Sequence, residues 1–108
     1  MDIGEFLAAR IAEDEHETRW MGTCDCAIEG FPLQHGLCCP ERVLADCESK
    51  RGVVAYAQEV FRRNESAGTR RTLARVEADL ENLNLMAVLR LLATPYADHR
   101  DYQPEWKP

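Results

Sequence analysis

Between Gly68 and Pro95 the chain has neither glycine nor proline, and Leu73, Val76, Leu80, Leu83, Ala87 and Leu91 recur there at steps of three or four residues. That interval follows the turn of an α-helix and excludes the two-residue period of a half-buried strand. It predicts a helix over 69–94, with Thr69 as N-cap and Pro95 as the stop. Leu85, Met86, Val88, Leu89 and Leu92 widen the apolar stripe towards the C-terminal end. Their combined surface exceeds what a simple amphipathic helix requires: either the first helix and the tail cover it, or it forms the candidate partner-binding surface.

Two further helices are predicted. Asp2 and Glu5 have the spacing of a capping box ahead of Phe6, Leu7 and Ile11, which marks a helix over 3–19. Pro40 suits a first helical turn, and Val43, Leu44, Cys47, Val54, Ala57 and Phe61 follow one face of a helix over 40–63. Gly52 interrupts that helix, as a point of close packing or a slight bend. Residues 64–68 are a short connector, so the last two helices should pair as an antiparallel hairpin. Residues 20–39 lose the helical period and hold Gly22, Gly30, Pro32, Gly36 and four cysteines, an irregular insert with room for short strands near 27–28 and 31–33. Residues 95–108, with three prolines and three aromatics, read as an extended strap. The fold class is mostly α: a helical hairpin or three-helix arrangement in one domain over 1–108.

The tail residues Pro95-Tyr96-Ala97-Asp98-His99, Asp101-Tyr102 and Pro104-Glu105-Trp106-Lys107-Pro108 resemble the C-terminal signature of an uncharacterised family found in actinobacteria and their phages. The stretches 6–15 and 40–51 resemble its opening and central helices, in the same order. The resemblance implies an actinobacterial or phage source and an intracellular location, and brings no assigned function. Many members carry a Cys-x-x-Cys pair before the last helix. This chain has no cysteine after Cys47, so no metal role carries over from them.

The net charge of −6 on 108 residues gives no general attraction for nucleic acid or an anionic membrane. The most apolar stretch, 83–89, is far shorter than the ~20 residues of a membrane span. The N-terminal segment lacks the basic and apolar regions of a signal peptide, so a cytoplasmic protein is expected.

Four groups of residues bear on chemistry. Cys24, Cys26, His35, Cys38 and Cys39, with His16 just before them, fall in or beside the insert. Zinc orders such segments through about four converging thiolate or imidazole ligands, so zinc is the cofactor this set would hold. A disulfide or plain reduced thiols are the alternatives, and Cys47 belongs to the core. Arg62, Arg63, Arg70, Arg71 and Arg75 form a basic patch at the hairpin tip, either a solvated connection or a contact for phosphate or an acidic partner. Glu13, Asp14, Glu15 and Glu17 read as a solvated helix end. His99 with Asp98 and Asp101 reads as a turn anchoring the strap.

No nucleophile elbow, phosphate-cradling loop or metalloprotease motif accompanies them. The reading is a small non-enzymatic accessory or regulatory protein that acts by binding another protein, with a homodimer among the arrangements expected. A zinc-stabilised nucleic-acid-binding regulator is the alternative, and an enzyme comes third. If the insert cysteines hold zinc, elemental analysis of protein purified without added metal will find close to one zinc per chain. A metal-free result ends that reading.

Overall fold

The backbone N–H of Glu5 donates to Asp2 Oδ1 at 2.8 Å, and that of Asp2 donates to Glu5 Oε2 at 3.3 Å. This reciprocal box satisfies donors that a helix start leaves open, and α1 runs Ile3–Arg19 behind it. The structure, a computed structural model, describes residues 1–19, 40–68 and 72–108. The predicted insert, with its strands and four cysteines, and Thr69 lie outside these residues. The remaining helices are α2 (Pro40–Glu65) and α3 (Leu73–Ala93), followed by 3-10 turns at Thr94–Tyr96 and Pro104–Trp106. The fold is mostly α, with no strand among the described residues.

Two helix boundaries and the course of the tail differ from the sequence expectation. α2 continues to Glu65, and its end is closed by Ser66, whose hydroxyl donates to the Arg63 carbonyl at 2.7 Å. Gly68 then takes a φ of +83°, which a side chain would resist. α3 starts later than predicted because Thr72 is the cap: its backbone is extended and its Oγ1 accepts from the Arg75 N–H at 3.2 Å. Both threonines suit a cap by type, and only tertiary placement chooses between them. The tail is wound rather than extended. The N–H groups of Ala97, His99, Tyr102 and Trp106 each donate to the carbonyl three residues earlier.

α1 lies antiparallel to α2. Gly4 packs against Gln58, so that a Cβ on Gly4 would stand 2.7 Å from its Nε2, while Glu15 at the other end pairs with Arg51. Gly52 is not a packing glycine, since nothing lies within 4 Å of where its Cβ would be. The core joins Ile3, Phe6, Leu7 and Ile11 of α1 to Cys47, Val54 and Ala57 of α2, Leu89 and Ala93 of α3, and Trp106 of the tail.

Phe6 is fully buried, and its ring is the hub of the tail. The rings of Trp106, His99, Tyr102 and Tyr96 stand 5.0, 5.7, 6.1 and 6.3 Å from it, centroid to centroid. Residues 96, 99, 102 and 106 are three or four apart, so each 3-10 or reverse turn of the tail returns one ring to Phe6. Gln103 Nε2 donates to the Met1 carbonyl at 3.0 Å and ties the tail to the start of the chain. Phe6→Ala should therefore cost about 3–5 kcal/mol. Gly52→Ala, in open helical surroundings, should stabilise by about 0.5–1 kcal/mol. Urea melts of the two variants check both signs.

Candidate functional site

The two apolar sets of α3 exchange the places that their spacing suggested. Leu89 is 1% exposed, and Leu85, Met86 and Leu92 pack against the core; of the expected partner surface, Val88 alone stands out, at 40%. The longer stripe faces solvent instead: Leu73, Leu80, Leu83 and Leu91 are 74, 56, 67 and 63% exposed, and Val76 41%. The inner face of α3 carries Ala78, Leu89 and Ala93, all buried, with Arg75 and Asn82 half-buried along the same side. At 100° per residue the outer stripe lies on the opposite side of the helix. α3 thus has two apolar faces, one packed and one open.

Polar contacts fix which face turns inward at the tip. Asn64, near the end of α2, donates through Nδ2 to Asn82 Oδ1 and Glu81 Oε1, each at 2.9 Å. Arg75 donates through Nε to Asp79 Oδ1 at 2.9 Å and through Nη1 to the Asn64 carbonyl at 3.1 Å. These bonds hold α3 with Arg75, Ala78 and Asn82 towards α2. Beside the outer stripe, Phe61, Asp79, Asn82, Leu83 and Met86 line an open groove of about 560 Å³. Its floor is Phe, Leu and Met, and its carboxylate is already paired with Arg75.

The predicted basic patch is drawn into the same framework. Arg75 is the staple just described, Arg62 pairs with Glu59, and Arg63 Nη2 lies 4.0 Å from Glu81 Oε1. Arg70 and Arg71 lie outside the described residues, as do Cys24, Cys26, His35, Cys38 and Cys39. Cys47 is buried as its spacing predicts, and burial pushes its thiol pKa up. No group of His, Cys, Asp or Glu among the described residues is arranged to hold a metal. No described helix is long and apolar enough to cross a membrane.

The acidic end of α1 is more engaged than a solvated terminus. Asp14 accepts from the Tyr96 hydroxyl at 2.6 Å, Glu15 pairs with Arg51, and Glu13 accepts from Arg10 at 2.8 Å. Arg10 is 7% exposed; its Nη1 stands 2.7 Å from His99 Nδ1 and 3.7 Å from Asp101 Oδ2, and its guanidinium lies 5.3 Å from the Phe6 ring centre. The Asp101 N–H donates to His99 Nδ1 at 3.0 Å. His99 and Asp101 form the turn expected of them, and Arg10 fastens it to α1. The sequence signal missed was Arg10, a basic residue on the apolar stripe of α1.

A model of a family of unknown function, DUF6221, matches residues 1–108, and the chain belongs to that family. No curated protein and no solved structure matches it.

The Tyr96–Asp14 bond gives the α1–tail contact a pH dependence. Burial pushes the Tyr96 phenol well above its usual range, and the hydrogen bond to Asp14 and its negative charge push it the same way. The unfolded chain ionises near the ordinary tyrosine value of about 10 while the folded chain does not. The contribution of Tyr96 to stability is therefore complete below that pH and is lost as pH climbs above it. Tyr96→Phe should lose about 1 kcal/mol at neutral pH and show a shallower alkaline decline, as read from urea melts across pH 7 to about 11.

Proposed function

We propose that this chain is a small non-enzymatic accessory or regulatory protein that works by protein contact through the outer face of α3. The observation that carries the reading is the row of Leu73, Val76, Leu80, Leu83 and Leu91, left in solvent on a helix whose other face is packed. Exposed apolar side chains are ordinary when scattered, but a continuous row of this length marks an interaction surface. The groove beside Leu83 adds a recess for an inserted side chain. A binding reading is favoured over an enzyme because that groove is lined chiefly by apolar groups and its carboxylate is held by Arg75. It is favoured over phosphate recognition because Arg62, Arg63 and Arg75 each have a carboxylate beside them.

The test is a photoreactive residue placed at position 80 of the full chain in its own host, with position 48 on exposed α2 surface as control. A discrete protein adduct from position 80 and none from 48 is the expected result. No adduct from position 80 sinks the reading.

A further inference from the structure

We propose that the occupant of the outer face of α3 is a second copy of the same chain, lying antiparallel across a two-fold axis. The inference rests on the contact reading above and names its partner. Leu73, Val76, Leu80, Leu83 and Ala87 alternate steps of three and four, the repeat by which one helix packs on another at a shallow angle. A stripe of this length contributed by both copies buries roughly 1,000 Å² in total, the least that a specific interface needs.

Charge selects the orientation. After Ala87 the three-residue step of the alternation falls on Arg90, next to Leu91 of the exposed row; Arg90 is half-buried on α3, with an Nε that has no hydrogen-bond partner. A parallel pair would set Arg90 against Arg90 of the second copy, two like charges in one layer. The antiparallel pair removes that conflict by placing Arg90 across from Leu73. It also matches Val76 with Ala87 and Leu80 with Leu83, larger against smaller or like against like. Glu77 on one flank then faces Asn84 rather than another acid. Leu80 of the second copy arrives beside Leu83, at the groove floored by Phe61 and Met86. The two-fold repeats that insertion on the other side, so the surface is self-complementary. Two α2–α3 hairpins then stand side by side as a four-helix arrangement, with each α1 and tail outside it.

Light scattering on the full chain, from micromolar to millimolar concentration, tests the pairing. The wild type is expected at twice the chain mass of 12.3 kDa. Leu80→Glu and Leu83→Lys should each be monomeric. Both positions are solvent-exposed in the single chain, so their helical circular dichroism should match the wild type. An equimolar mixture of the two variants should regain the doubled mass, because the antiparallel layer sets position 80 of one copy against position 83 of the other. A parallel layer sets 80 against 80 and gives no rescue.

A wild type that stays at 12.3 kDa throughout, or a mixture that stays monomeric, overturns the proposal. If the wild type is monomeric and the adduct from position 80 contains a different polypeptide, the second copy is rejected and the contact reading stands. If there is neither dimer nor adduct, both fall.

Discussion

The Phe6 ring is the point at which the two ends of this chain are joined. It sits in the first turns of α1, fully buried, and the tail delivers Tyr96, His99, Tyr102 and Trp106 around it. Arg10, one turn further on, lies over the same ring and bonds the His99 imidazole. Three rings set edge-on to Phe6, a fourth tilted against it and a cation over it are each modest interactions. Collected on one buried ring they let residues 94–106, which have no long helix or sheet of their own, hold a fixed course. A short chain has a small core, and folding the tail over α1 adds apolar burial that the three helices alone would lack.

That closure determines what α3 can do. One face of its C-terminal half packs against α1, α2 and the tail, so Leu89 and Ala93 are buried while Leu91 on the other face stays exposed. Among the described residues, its N-terminal half is held to the end of α2 by polar contacts, Asn64 with Asn82 and Arg75 with the Asn64 carbonyl. Polar bonds there set the rotation of α3 without asking for an apolar partner. The leucines that extend along the far side are consequently left to solvent.

Much of the fold was legible because it depends on local rules. The capping box of Asp2 and Glu5, Pro40 at the start of α2 and the burial of Cys47 all follow from spacing and residue type. The facing of α3 was not legible. Hydrophobic periodicity reports that a helix has an apolar side, and α3 has two. The more regular one, 73–91, resembles a core stripe, yet the tertiary partners select the face bearing Arg75 and Asn82. The tail was misread for a related reason. Prolines suggest extension, but Pro95 and Pro104 stand where a 3-10 turn accepts them, and aromatics three and four apart are a signal of winding. Arg10 was hidden because a charged residue on an apolar stripe is normally a flaw, and only the folded tail supplies its partners.

The outer stripe is not required by the stability of the lone chain. Leucines in solvent contribute little to the stability of a lone chain beyond helix propensity, and an apolar row carries a cost in solubility. Lysine, glutamate or alanine at positions 73, 80 and 83 would hold the helix as well, without that cost. The same helix already shows such choices at Glu77, Glu81 and Asn84, all exposed. Apolar and polar exposed positions are thus sorted into separate faces of one helix. A solvent-facing stripe with the alternation of a packing seam is the feature on which the proposed contact rests. The contacts that stabilise the chain and the exposed apolar stripe are therefore carried by opposite sides of α3, with Asn64 and Arg75 deciding which side is which.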